Sequence, residues 1–191
     1  MPMTFLDRAK ALLQRPEQEW RAIAAEPADT ASLFKGYAMP LSALPAVAGF
    51  IGSAIFAGYL GSVLGAPVGI FSLLVNAILG YLLGLLGLWL WGKVVQALSP
   101  RFGGTADETA AMKLAVHTPT AAWLAGIFAI IPPLAILALL GLYSLYTFYK
   151  GAPLVLGVPQ DRVMAFTVAA VLVGIVVNVV VGLLAGLALS F

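Results

Sequence analysis

Long stretches without any charge constrain this chain more than any other sequence feature. Its 191 residues include 10 Lys or Arg and eight Asp or Glu, all within residues 7–35, 93–113 and 150–162. A soluble domain has about 25% charged residues, whereas this chain has 9%, together with 62% hydrophobic residues. These proportions exclude a soluble globular domain and also a disordered chain, which would need low hydrophobicity and high charge. The fold class that remains is an all-α, polytopic membrane protein.

The apolar stretches predict five membrane-spanning helices. A span needs about 20 mostly apolar residues, and the predicted spans cover residues 37–60, 70–98, 112–131, 134–149 and 162–189. The third and fourth are separated at Pro132-Pro133, because proline interrupts a helix. One kinked helix of about 48 Å, at about 1.5 Å per residue, is the alternative, but it would exceed a hydrocarbon core of about 30 Å. A loop is predicted over residues 150–160.

The basic residues predict the orientation of these spans. With five spans, all ten Lys and Arg residues fall in segments on one side of the membrane, at residues 1–36, 93–113 and 150–162. The segments on the other side, near 61–69, 131–133 and 190–191, contain none. Because cytoplasmic loops are enriched in Lys and Arg, we expect a cytoplasmic N-terminus and a C-terminus outside.

Residues 1–36 are predicted to form a cytoplasmic arm that precedes a single membrane domain over residues 37–191. Apolar residues with helical spacing on either side of Pro16 predict two short amphipathic helices at the membrane interface. The arm begins with polar and charged residues, so no cleavable signal peptide is expected. Its five basic and five acidic residues balance, which does not fit a polybasic lipid-binding segment. Two interpretations stay open: a cap packed under the bundle, or a docking site for a protein partner.

Three polar residues within the predicted spans are candidate binding residues: Asn76, His117 and Asn178. Polar and ionisable groups are costly inside a bilayer and often mark functional sites. His117 is either a pH-responsive group in a gate or proton path, or a histidine satisfied by a neighbour or by a carbonyl freed at Pro119.

Small residues recur every four positions on one face of the last span: Gly174, Asn178, Gly182 and Gly186. Such a face lets helices approach closely, and an Asn within it can hydrogen-bond across the contact. We interpret it as a helix-packing seam, and the alternative is a polar lining for a substrate path. Gly80 and Gly84 in the second span form a similar seam, either within the chain or between subunits.

A row of aromatic residues ends the fourth span, with a lysine beside it: Tyr143, Tyr146, Tyr149 and Lys150. Residues three apart stay on roughly one side of a helix. The row is interpreted either as an aromatic belt at the membrane interface or, together with Trp20 of the arm, as a surface for a partner or a lipid headgroup.

No constellation for catalysis, metal binding or cofactor binding is present in the sequence. The chain has no Cys and one His, which excludes thiolate chemistry and Cys-ligated metals. It has neither a Walker motif nor a glycine-rich nucleotide fingerprint after a strand, and it lacks the basic stripe of a nucleic-acid binder. We therefore expect no enzyme activity, no cofactor and no nucleic-acid partner.

Several stretches together resemble the Yip family, whose eukaryotic members are Rab/Ypt-interacting membrane proteins. The stretches are Pro16 to Ile23, Phe102-Gly103-Gly104, Thr118-Pro119 to Ile131-Pro132, Leu142 to Gly151 and Val158-Pro159. The resemblance implies five spans and a cytoplasmic N-terminus. The short arm and compact loops are similar to the bacterial branch, which implies the inner membrane and gives no reason to carry over a GTPase partner.

Two functions are therefore considered. The first is a membrane scaffold or organiser that binds lipids or other membrane proteins and self-associates into a homo-oligomer. The second is a small, oligomeric ion or solute channel or transporter that responds to pH. The two differ in whether Asn76, His117 and Asn178 converge on one hydrated cavity.

Overall fold

The computed structural model describes residues 4–64 and 69–189, which contain helices and no strand. Residues 65–68 of the predicted outer segment 61–69, and all of the segment 190–191, lie outside the described residues. The helices are α1 (Phe5–Gln14), α2 (Pro16–Ala25), α3 (Thr30–Leu33), α4 (Met39–Leu64), α5 (Ile70–Leu98), α6 (Glu108–His117), α7 (Thr120–Ala125), α8 (Tyr143–Leu156) and α9 (Gln160–Leu189).

Capping residues define where the short helices begin. Thr4 caps α1 by accepting a hydrogen bond from the Asp7 amide, and its hydroxyl donates to Asp7 Oδ2 at 2.6 Å. Pro16 starts α2, where its missing N–H costs nothing. Asp107 caps α6 by accepting from the Ala110 amide at 2.6 Å. The predicted pair of short helices on either side of Pro16 is therefore present as α1 and α2.

Three helices are long and apolar enough to cross a membrane. They cover Thr30–Tyr59, Ile70–Phe102 and Gln160–Leu183, among the described residues. The first begins before the predicted start at residue 37, because α3 continues into α4 through a π-helical turn at Phe34–Ala38. At most 22% of each apolar window is buried, so these helices expose most of their apolar surface, as lipid-facing helices do.

The third and fourth predicted spans form a hairpin that reverses at the proline pair. Ile131 is extended, with φ −116° and ψ 101°, and two 3₁₀ segments, Gly126–Ile130 and Pro132–Leu142, flank the reversal. The two helical halves of this hairpin lie side by side, since the Ser144 hydroxyl accepts from the Ala122 amide at 3.2 Å. Two segments therefore replace the single kinked helix considered above, and α-helix forms only part of each.

The predicted loop over residues 150–160 is wrong for its first half. Helix α8 continues to Leu156 despite Gly151 and Pro153. It ends at Gly157, whose φ of 68° is the left-handed conformation that favours glycine at a helix C-terminus. Pro153 is accommodated within the helix, and Gly151 is needed there for packing.

The most tightly packed part of the molecule lies at the end where the arm meets α6, α8 and the start of α9. Its largest fully buried side chains include Trp20, Phe148, Phe166, Leu12, Ile23, Leu41 and Met112. The apolar faces of α1 and α2 thus pack against the other helices. Of the two interpretations of the arm, this packing corresponds to the cap.

Candidate functional site

The arm is held to the bundle chiefly by Trp20. This ring is fully buried, and a Cβ on Gly151 of α8 would lie 2.6 Å from its Cε2 atom. The same Cβ would lie 2.7 Å from Leu114 Cδ1. Only glycine allows α8 to approach the indole so closely. The hypothesis that Trp20 belongs to an exposed partner or lipid surface is therefore wrong, because its ring lies in the core.

His117 lies in the same core at the end of α6. Its ring centroid lies 4.4 Å from that of Tyr37, with the two rings tilted by 38°, and the ring meets Trp20 edge-on at 6.1 Å. Its Nδ1 lies 2.8 Å from the Lys113 carbonyl oxygen. Because a carbonyl can only accept, Nδ1 carries the proton. The histidine is thus satisfied by a neighbour, and the carbonyl is that of Lys113 rather than one freed at Pro119.

A hydrogen-bonded chain links His117 to the first long helix. The Thr120 hydroxyl donates to the His117 carbonyl at 2.5 Å. The Tyr37 hydroxyl lies 2.7 Å from Thr120 Oγ1, which therefore accepts from it. Both Tyr37 and Thr120 are buried. These hydrogen bonds hold the start of α7 to the π-helical turn that leads into α4, at the point where Pro119 interrupts the helix.

Charged groups surround a small cavity beneath the arm. The cavity has a volume of about 200 Å³ and is lined by Arg8, Glu26, Lys113 and His117, among others. Arg8 Nη2 donates to Glu26 Oε1 at 2.7 Å, and Arg8 Nε lies 3.7 Å from Glu19 Oε1. The Lys113 ammonium donates to the carbonyls of Ala24, at 3.0 Å, and Glu26. The group thus contains two basic residues, Arg8 and Lys113, and two acidic residues, Glu19 and Glu26. The Lys113 ammonium caps the C-terminal end of α2 by donating to its carbonyl groups.

The surroundings shift the pKa values of Glu19 and Glu26 in opposite directions. The hydrogen bond from Arg8 lowers the pKa of Glu26, against a smaller opposing effect of burial. Burial raises the pKa of Glu19, and the nearby Arg8 only partly offsets it. At neutral pH the Arg8–Glu26 pair is therefore an ionised contact that holds α1 to the end of α2.

The aromatic row on α8 contacts the arm at both ends and is exposed in the middle. The Tyr143 hydroxyl donates to the Leu13 carbonyl at 3.0 Å, and Lys150 Nζ donates to Glu17 Oε1 at 2.7 Å. That ion pair lowers the pKa of Glu17 and raises the pKa of Lys150. Tyr149 packs partly against the core, whereas Tyr146 is 44% exposed and lies under the Lys150 ammonium. Of the three tyrosines in this row, only Tyr146 presents an open aromatic surface.

Asn76 lies far from this core, on a groove between α4 and α5. The groove has a volume of about 510 Å³ and is also lined by Ser42, Ser53 and Trp123. Asn76 is exposed, and its carboxamide makes no hydrogen bond to any described residue.

Asn178 occupies a third position, between α5 and α9. Its Nδ2 donates to the Gly174 carbonyl of its own helix at 2.9 Å, so the predicted bond across the helix contact is wrong. Gly174 does serve packing, since a Cβ there would lie 3.0 Å from Trp91 Nε1. A Cβ on Gly182 would meet nothing within 4 Å, and Gly186 lies outside the residues whose surroundings are described. Of the two seam glycines whose surroundings are described, Gly174 packs closely against another helix and Gly182 does not.

The polar residues thus do not share one site. Asn76, His117 and Asn178 line three different cavities with no lining residue in common. Within residues 4–64 and 69–189, no group of three His, Asp or Glu side chains is placed to hold a metal ion.

A family model for the Yip1 domain matches residues 10–182. This chain belongs to the Yip1 domain family. The match begins within α1 and ends within α9, so it includes α2 and part of α1 together with the long helices. No curated protein and no solved structure matches the chain.

Sequence reasoning about this Yip1 domain missed most of the polar residues beneath the arm. Arg8, Glu26, Lys113, Tyr37 and Thr120 were not among the candidates, although each makes a specific contact there. One signal was available, because Lys113 and His117 lie four apart and must share a face of α6. Their partners come from segments distant in sequence, which no local pattern predicts.

Proposed function

We propose that this Yip1 domain is an integral membrane scaffold with five spans, a cytoplasmic N-terminus and a C-terminus outside. The spans would be α4, α5, the two halves of the hairpin, and α9. Contacts between the basic segments support this orientation. Lys150 pairs with Glu17, Lys93 pairs with Glu108 at 2.6 Å, and Lys113 contacts the end of α2. Segments that five spans would place on one side therefore meet at one end of the molecule.

The geometry of the hairpin also supports two crossings. A 3₁₀-helix rises about 2.0 Å per residue, compared with about 1.5 Å in an α-helix. The 11 residues of Pro132–Leu142 therefore extend about 22 Å, and a turn or two of α8 would complete the crossing of a core of about 30 Å. Winding as a 3₁₀-helix gives a short segment the reach that an α-helix of equal length would lack.

The scaffold role rests on the separation of the three polar residues. A solute path needs polar groups that follow one another along a cavity, whereas His117 is enclosed in the core, Asn178 bonds to its own helix, and Asn76 lies on a lateral groove. The end of the molecule nearest the basic segments is closed by the packed arm. Nothing in this arrangement calls for chemistry on a substrate, and we propose no enzyme activity.

The binding surfaces of such a scaffold would be its apolar helical faces. Large side chains along α4, α5 and α9 are exposed: Ile55, Tyr59, Phe71, Leu82, Val176 and Leu183 are each more than half exposed. In a bilayer these faces contact lipids or the spanning helices of other proteins, including further copies of this chain. We propose the inner membrane of a bacterium as the location, following the similarity to the bacterial branch.

Flux through proteoliposomes tests this function against the alternative, a small channel or transporter, which the polar groove at Asn76 favours. Ion and small-solute flux would be measured across pH 5 to 8 for the wild type, His117→Ala, Asn178→Leu and Asn76→Leu, with the lipid-facing Leu82→Ala as a matched control. We expect flux no higher than in protein-free liposomes. Flux above that level, lost in a polar variant and kept in Leu82→Ala, would overturn the scaffold proposal.

Crosslinking in the native membrane then tests scaffolding directly. We expect the full chain to crosslink reproducibly to a small set of membrane proteins or lipids through positions on α4, α5 and α9. A chain that crosslinks only at random, in proportion to the abundance of its neighbours, would contradict a scaffold role.

A further inference from the structure

His117 lies where the arm joins the bundle, and it is the only histidine in the chain. Its ring is 3% exposed and lines the cavity beneath the arm. Trp20 of the arm meets one side of the ring, and Tyr37 of the π-helical turn covers another. Because the arm supplies part of this enclosure, separation of the arm from the bundle would open the ring to water.

The hydrogen bonding of His117 determines where a further proton would bind. Nδ1 donates to the Lys113 carbonyl and carries the proton of the neutral ring. Nε2 makes no hydrogen bond to any described residue, so it is the free acceptor of the ring. A proton at Nε2 would turn the ring into a cation with a second N–H, which would need an acceptor of its own.

The charged groups around this ring are already engaged with one another. Arg8 of α1 and Lys113 of α6 bring two positive charges to the cavity. Glu26, which follows α2, pairs with Arg8 at 2.7 Å, and Glu19 of α2 lies 3.7 Å from the same guanidinium. The Tyr37 hydroxyl already has a partner in α7. A charged imidazole would therefore be buried beside two cations without a counterion of its own, which is costly.

Opening of the arm removes this cost. In water an imidazole takes up a proton with an ordinary pKa of about 6.5, and its charge is then solvated. The closed arm encloses the neutral ring, whose free Nε2 needs no counterion. Each pH unit below about 6.5 therefore multiplies the ratio of open to closed arms by about ten, until the enclosed ring is itself protonated.

We propose that the arm is a pH-dependent switch: acidification stabilises the open arm, because His117 takes up a proton when exposed and cannot return to the cavity as a cation. Opening uncovers the surface of α6 and α8 against which Trp20 packs, around Leu114 and Gly151. The switch goes beyond the scaffold function and does not depend on it, since it concerns only contacts between the arm and the bundle. Its failure would therefore leave the scaffold function in place.

Limited proteolysis of the full chain in detergent tests the switch. Cleavage of the arm would be measured at about pH 7.5 and about pH 5.5 for the wild type and for His117→Gln, which cannot be protonated. The ratio of the two rates at one pH cancels the pH dependence of the protease and of the carboxylates that both proteins share. Because cleavage follows the open population, we expect this ratio, wild type to variant, to rise about tenfold on acidification. A constant or falling ratio would overturn the proposal.

Tyr143→Phe is the matched control for a loosened arm. It removes the hydrogen bond from α8 to the Leu13 carbonyl but keeps His117. Its arm should be cleaved faster than that of the wild type at both pH values, and its rate relative to His117→Gln should show the same rise of about tenfold. If the rise disappeared in Tyr143→Phe, the pH response would follow the tightness of the arm rather than the histidine, and the switch would be refuted.

Nuclear magnetic resonance of the imidazole tests the switch in the wild type, and so remains decisive if His117→Gln does not fold. Because the chain has a single histidine, its ring signals need no assignment in a protein without a histidine tag. We expect the signal of the charged ring to grow on acidification in step with cleavage of the arm, while circular dichroism shows the helices retained. A ring that becomes charged while the arm stays protected, or a general loss of helix over the same pH range, would overturn the proposal.

Discussion

At the scale of single residues, one added methyl group at Gly151 should have a measurable effect on stability. A methyl group there would lie within 3 Å of both Trp20 and Leu114, two fully buried side chains. Overpacking of this kind costs about 1–3 kcal/mol. We expect Gly151→Ala to lower the free energy of unfolding in detergent by about that amount and to expose the arm to protease.

Gly182→Ala is the control for this prediction. It also places alanine in a helix, but its Cβ meets nothing within 4 Å. Alanine is favoured over glycine in helices by about 1 kcal/mol, so its effect should be neutral or stabilising. Equal stability of the two variants would show that Trp20 can move aside.

A second prediction at this scale concerns Glu26, whose pKa is lowered by the hydrogen bond from Arg8. A carboxylate with a lowered folded-state pKa stabilises the fold above its unfolded pKa, near 4.5, and this contribution is lost as the pH falls through the folded pKa. We expect the wild type to lose stability below about pH 4.5 more steeply than Glu26→Gln, as measured by denaturant unfolding in detergent. The pair is partly exposed, so the difference should be less than about 1 kcal/mol. Glu19 has a raised pKa, so its contribution to stability changes with pH in the opposite direction, and it does so in both proteins. If the stability of the wild type and of Glu26→Gln fell in parallel with pH, the role of Glu26 would be contradicted.

At the scale of helices, α8 and the arm should separate when their specific hydrogen bonds are removed. Tyr143 donates to the Leu13 carbonyl, and loss of such a bond costs about 1 kcal/mol. We expect Tyr143→Phe to speed proteolysis of the arm several-fold. Tyr146→Phe is the matched control, because that hydroxyl makes no hydrogen bond to a described residue, and it should behave as the wild type does. Faster proteolysis in both variants would point to the rings rather than the hydroxyl.

The helices also show which parts of the structure local patterns could predict. Helix α5 covers Ile70–Leu98, the range that hydropathy alone gives, because a long apolar run has few other solutions in a membrane. The continuation of α8 through Gly151 and Pro153 could not be predicted, since glycine and proline normally mark loops. A tertiary contact overrides that tendency, because the Trp20 ring packs directly against Gly151. The same holds for His117, whose surroundings come from the arm, more than 80 residues away in sequence.

At the scale of the whole molecule, the hairpin decides the number of spans. Charge and hydropathy predict five, and three helices among the described residues are long enough to cross by themselves. A hairpin that enters and leaves on the same side gives the same orientation of α4, α5 and α9 whether its tip reaches the opposite surface or stops within the bilayer. Orientation of the termini therefore cannot distinguish the two, and the tip at Ile131 must be tested.

Cysteine labelling with a membrane-impermeant maleimide makes that test. Ile131, at the hairpin tip, is 52% exposed, and Val63, near the outer end of α4, is 62% exposed. With five spans we expect Ile131→Cys and Val63→Cys to be labelled on intact cells, and Arg101→Cys only after the membrane is permeabilised. The 3₁₀ winding that lengthens the hairpin is the physical reason to expect its tip outside. Labelling of Val63→Cys but never of Ile131→Cys on intact cells would instead make the hairpin re-entrant, and the protein would cross the membrane three times.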